Sequence, residues 1–162
     1  RLAAMIYESL IHDFARRTLA NLDALTRMRA QNPEVEFFEV TNLINSMLGL
    51  LIFPQQAFVN EIPPTPLAEL EDQGWPIPRV TGKFAQVQNL NQLVRYLRNA
   101  IAHCNVKFKA GDRDEIIGLI VWNNDTRRLG SPKTWEAELT LDEVERITRQ
   151  FVALILAKEP RR

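Results

Sequence analysis

Apolar residues recur along the chain at two periods, and the change of period divides it. Over residues 3–29, Ile6, Leu10, Phe14, Leu22 and Leu25 stand at multiples of about one helical turn, with Ile11, Ala15 and Thr18 beside them. Asp13, Arg16, Arg17 and Asp23 fall between as polar positions, so the segment predicts a long amphipathic helix ending before the Asn32-Pro33 break. A second helix is predicted over 35–53, stopped by Pro54. Its later half, Leu43 to Phe53, is apolar nearly all round, as in a helix at the centre of a core or at an oligomer interface. Residues 54–78 hold six prolines and read as an irregular connection with one helical turn at 67–72. Within that connection Gly74-Trp75-Pro76-Ile77-Pro78 is too apolar to float. Trp75 is expected to pack onto the helices rather than to serve as a base-stacking platform.

A third long helix is predicted over 85–104, its stripe made by Leu90, Leu93, Val94, Leu97, Ile101 and Cys104. The period then falls to two. Strands are expected at 105–110, 115–123 and 134–140, separated by Gly111-Asp112, Asn123-Asn124-Asp125 and Gly130-Ser131-Pro132. Trp122 and Trp135 belong to these strands and are expected in the core. Thr140 followed by Glu143 is a capping box for a last helix over 141–158, with Leu141, Val144, Ile147, Phe151, Leu154 and Ile155 on its apolar face. The fold class is thus mainly α: one domain over 1–162, a helical bundle with a small antiparallel β-meander inserted before the last helix.

Charge adds location to this pattern. The chain is neutral, with 20 basic and 20 acidic residues. The cations are nevertheless grouped: Arg79, Lys83, Arg95, Arg98, Lys107, Lys109 and Arg113 share residues 79–113 with one acid, Asp112, whereas 30–78 holds no cation. The third helix therefore lies in the basic part of the molecule. No apolar run is long enough to cross a membrane, no leader pattern is visible, and the single cysteine forms no internal disulfide, so a cytoplasmic protein with no membrane partner is expected.

On a wheel, the third helix carries Arg95, Arg98, Asn99, Ala102 and His103 opposite its apolar stripe. Arg95, Asn99 and His103 follow each other at one-turn intervals. Arg98 lies beside that row, about 140° from His103. Three arrangements would bring Arg98 and His103 onto one target: a helix that ends near His103, the reach of the arginine stem, or two copies facing each other across the small Ala102. The residue types suit cleavage of RNA. Its 2′-hydroxyl is a built-in nucleophile needing a base, a charge to stabilise the phosphorane, and an acid for the leaving 5′-oxygen. Histidine as a residue type exchanges protons near neutral pH, arginine forks onto phosphate oxygens, and asparagine donates a hydrogen bond. Two separated histidines, one cysteine and no acidic cluster beside the motif offer no metal site, and no cofactor is implied. Cys104 is expected to fill space on the apolar stripe, and His12-Asp13 to be a solvated surface pair.

Arg98-Asn99-Ala100-Ile101-Ala102-His103 resembles the arginine–polar–x–x–x–histidine signature of the HEPN superfamily, and the order of helices is similar too. The resemblance implies a HEPN-like helical bundle and a homodimer with the motifs across its two-fold axis. It also implies metal-independent endoribonuclease activity in a toxin or phage-defence effector, with an antitoxin as a possible partner. By that match Arg98 and His103 are catalytic and Asn99 is their polar helper. The local basic charge adds Arg95, Lys83 and Lys107 as cations for RNA phosphates. The sequence departs from the pattern at Cys104, where a glycine often follows the histidine. The alternative is a non-catalytic HEPN-like module that binds a nucleotide or a protein, or a purely structural dimer module.

Overall fold

The computed structural model describes residues 10–35, 38–52, 62–113, 115–125 and 130–158. Helix α1 spans Leu10–Gln31 and α2 spans Glu39–Ile52. A short α3, Leu67–Asp72, lies where the one-turn helix was expected. Strand β1, Arg79–Val80, precedes α4, Leu90–Ala102. Strands β2 (Val106–Ala110), β3 (Ile116–Asn124) and β4 (Lys133–Thr140) follow, and α5 spans Leu141–Leu156. The parts of the expected helices at 3–9, 36–37 and 53 lie outside the described residues.

The largely apolar α2 is central, packing against α1, α4 and α5. Its Met47, Leu50 and Leu51 are buried, as the absence of a polar face requires. Gly49 sits where α1 crosses, since a Cβ there would come within 2.7 Å of the Phe14 ring. Helix α5 packs on α1 and α2 on one side and on β3 and β4 on the other, joining bundle and sheet in one core. Its start is fixed by the expected capping box: the Glu143 amide donates to Thr140 Oγ1 at 3.2 Å, and the Thr140 amide to the Glu143 carboxylate at 2.7 Å. Trp75 is buried, and its amide donates to Leu70 O at 2.9 Å, closing the turn after α3.

Helix α2 begins at Glu39 rather than 35, and α5 ends at Leu156 rather than 158. Both boundaries of α4 differ from expectation for local reasons. Helix α4 begins at Leu90 rather than 85, because the Asn89 side chain accepts from the Gln92 amide at 2.9 Å and Asn89 itself is extended. It ends at Ala102 rather than 104, where the chain turns left-handed. The sheet has four antiparallel strands in the order β1-β4-β3-β2, not three. The meander β2-β3-β4 is present, and β1 is supplied from before α4. Only two residues long, β1 is held by its pairing with β4, Arg79 opposite Glu138 and Val80 opposite Ala137.

Register assigns the faces. Val106, Val121 and Ala137 are cross-strand neighbours, as are Phe108, Leu119 and Leu139. Their face meets α4 and α5, and Leu119, Val121, Trp135, Ala137 and Leu139 are buried there. The opposite face carries Arg79, Glu138, Ile120 and Lys107 in one row and Glu136 beside Trp122 in the next. Trp135 is therefore core, as expected. Trp122 is not: it points away from the helices and is half-exposed. None of the described helices is long and apolar enough to cross a membrane.

Candidate active site

The site residues occupy the last turn and a half of α4, whose opposite side anchors it. Leu90, Leu93, Val94, Leu97, Ala100 and Ile101 are all buried, so rotation of the helix is fixed by its apolar stripe. That leaves Arg95, Ala102 and His103 exposed and Arg98 and Asn99 half-exposed. Asn99 and His103 are one turn apart, and the His103 amide donates to the Asn99 carbonyl at 3.1 Å.

Helix α4 closes with His103 as the C-cap and a Schellman turn. The Cys104 amide donates to Ile101 O at 2.9 Å and the Asn105 amide to Ala100 O at 2.8 Å. Such closure places the residue after the cap in the left-handed region, and Cys104 has φ +56°, the one non-glycine residue with positive φ among those described. This geometry is why glycine suits the position after the histidine. It also corrects the expectation that Cys104 fills the apolar stripe: the turn carries its thiol into solvent.

The side chains of Arg98, Asn99 and His103 make no hydrogen bond or ion pair with a described residue. The His103 ring does not cap the last carbonyls, and Arg98 is not spent on an acid. Of the three arrangements that could bring Arg98 and His103 together, the helix end is present. A hydrogen bond between the two side chains is not. Arg95 stands one turn before Asn99, its guanidinium 5.9 Å from the Tyr96 ring centroid. Lys83 belongs to the Gly82-Lys83 turn after β1, and Lys107 to β2. The two lysines therefore lie at opposite edges of the sheet rather than in one cluster. Among the described residues there is no group of three or more His, Cys, Asp or Glu placed to hold a metal ion.

His12 and Asp13 lie elsewhere and are not a solvated pair. His12 Nε2 is 2.5 Å from Lys158 O, tying α1 to the end of α5, and Asp13 is buried and accepts from Arg16 at 2.5 Å.

The sequence motif stops short of the row beyond the helix. The chain leaves His103 through Cys104 and enters β2, and the Trp122 amide donates to the Asn105 carbonyl at 3.1 Å. The open face of the sheet thus begins two residues after His103. Its signal was in the sequence: Ile116–Trp122 is apolar at both parities, as in a strand with two apolar faces.

Comparison with curated proteins and with solved structures returns no match. A protein-family model does match, over residues 5–162, and it is described as HEPN pEK499 p136. With a mainly helical fold, the motif at the close of α4 and a match over nearly its whole length, the chain belongs to this HEPN family.

Proposed function

We propose that the protein is a metal-independent endoribonuclease that cleaves RNA by attack of a 2′-hydroxyl on the adjacent phosphate, leaving a 2′,3′-cyclic phosphate. HEPN membership points to RNA as the general field of action. The observation that carries the finer reading is the state of three side chains. Arg98, Asn99 and His103 hold the motif positions on a rigid helix end, and the fold spends none of them on an internal partner. Polar groups on a packed helix with their valences free are suited to a ligand.

In the reaction the imidazole of His103 takes the proton of the 2′-hydroxyl. The oxygen attacks phosphorus, and the bond from phosphorus to the 5′-oxygen breaks as that oxygen receives a proton. Arg98 binds the non-bridging oxygens as negative charge accumulates on them, and Asn99 donates to the same group. One histidine cannot be base and acid in the same step. A homodimer with two α4 ends across its axis supplies two copies of His103 and two of Arg98 around one phosphate. The exposed Ala102, with its small side chain, leaves room for that approach. Arg95, Lys83 and Lys107 are cations for the flanking phosphates. The biological role that fits is a toxin or phage-defence effector, held in check by an antitoxin.

Purified protein is incubated with a fluorogenic RNA in EDTA. Cleavage with cyclic-phosphate ends, falling about 100-fold or more in His103→Ala, is the expected result. Wild type and His103→Ala equally inert, with no toxicity of either on expression, would leave the non-catalytic nucleotide- or protein-binding module.

A further inference from the structure

We infer that the open face of the sheet is a track for single-stranded RNA running out of the α4 site, with Trp122 as its stacking platform. The inference rests on the ribonuclease reading and extends it from the cleaved phosphate to the flanking nucleotides.

Four cations stand on this face: Arg79, Lys107, Lys109 and Lys133. Two carboxylates stand among them, and both are already engaged. Glu138 accepts from Lys109 at 3.0 Å and from Arg79, and Glu136 accepts from Lys133 and, at 2.7 Å, from Thr81. These bonds hold the cations in place over the strands while leaving an excess of two positive charges. Lys107 has no partner among the described residues. Lys107 and Lys109 lie about 7 Å apart along β2, near the step between phosphates of an extended single strand.

Lysines on an edge strand also discourage edge-to-edge pairing, which would account for Lys107 and Lys109 alone. It does not account for Trp122, which sits on β3, an interior strand, half-exposed beside Ile120. An aromatic ring on an uncovered sheet, flanked by cations, is what sequence-tolerant stacking of bases requires. The Lys133 ammonium lies over the Trp122 ring, 4.9 Å from its centroid, so a stacking base takes the place of that cation and leaves the ammonium to the adjoining phosphate. Continuity completes the case. Asn105 bonds to the Trp122 backbone two residues beyond His103, so a strand leaving the α4 end passes onto this row.

The probe is a fluorescein-labelled twelve-nucleotide 2′-O-methyl RNA, which lacks the nucleophile and stays intact on the wild-type protein. Binding is followed by anisotropy across a salt series. Lys107→Glu is expected to weaken it about tenfold and to lower the log–log salt slope by about 0.7, the share of one neutralised phosphate. Arg27→Glu, the same charge change on the exposed surface of α1, leaves affinity unchanged. Trp75 and Trp135 are only 5% and 1% exposed, so quenching of tryptophan emission by the probe reports Trp122 and disappears in Trp122→Phe. Lys107→Ala with an unchanged melting temperature serves if the charge reversal fails to fold. Equal affinity in Lys107→Glu and wild type, or no quenching, overturns the track, as does equal binding of a duplex of the same sequence. Cleavage of a dinucleotide too short to reach the sheet tests the ribonuclease reading on its own. Such cleavage with sheet-independent binding of the long probe sinks the track and leaves the active site standing.

Discussion

At the scale of single residues the α4 end joins a stability question to a functional one. Cys104 adopts a left-handed conformation that costs a residue with a Cβ about 1 kcal/mol and costs glycine almost nothing. Cys104→Gly is therefore expected to raise stability by about 1 kcal/mol, seen as a melting temperature several degrees higher, with cleavage retained. Cys104→Val, with branching at Cβ, should lower it by more than the glycine raises it. A melting temperature insensitive to both changes would mean that the Schellman turn does not form. Arg98 is tested by a conservative change. Lysine keeps the charge but not the planar fork, so Arg98→Lys should retain RNA binding and lose most of kcat.

At the scale of elements, the sheet depends on two things that the chain supplies in different ways. One is close approach: a Cβ on Gly118 would stand 2.3 Å from the Leu139 carbonyl oxygen across the β3–β4 pair. The neighbour is backbone and cannot swing aside, so Gly118→Ala is expected to cost about 2–3 kcal/mol in a denaturant titration. The other is charge on the open face. The hydrogen bond from Lys109, then that from Arg79, holds the Glu138 carboxyl below its ordinary value of 4.5, and Lys133, then Thr81, does the same for Glu136. A carboxyl depressed in the folded state contributes stability that is present above the ordinary value and lost as pH falls below it. Melting temperatures recorded from pH 7 to pH 3 should fall in the acid limb, and the limb should flatten in the Glu136→Gln, Glu138→Gln double variant. An identical limb in that variant would place the acid lability elsewhere. Elements governed by local pattern were legible in the sequence. The α4 stripe, the capping box of α5 and the one-turn helix at 67–72 each follow from neighbours within a turn. Strand β1 was not legible, because Arg79-Val80 is a strand only through pairing with residues nearly sixty positions away. Trp122 was misplaced for a related reason. Alternation gives a strand two faces, and only the packing of α4 and α5 decides which one is covered.

At the scale of the whole molecule, the three motif residues were legible as a group on one helix, but their convergence was not, and a single chain does not bring them together. Arg98 and His103 are five residues apart, point about 140° from each other on a helix, and make no hydrogen bond with each other. The termination of α4 at Ala102 makes His103 its C-cap. Two readings of this geometry differ in what a mixed dimer would do. If both copies of His103 act on one phosphate, a dimer with a single His103 lacks either the base or the acid and is inactive. When wild-type and His103→Ala chains are unfolded together and refolded as an equal mixture, a quarter of the dimers are wild type and half are mixed. Activity should then fall to about a quarter of the wild-type level. If each protomer cleaves with its own pair, half of the sites stay intact and activity falls only to about half. Ala102→Glu places a carboxylate between the approaching helices and should lower both dimer fraction and cleavage, read by sedimentation and by the fluorogenic assay at equal protein concentration. A fall to a quarter in the mixture, together with loss in Ala102→Glu, would make the active site a property of the pair of chains. A fall to a half would return it to the single α4 end.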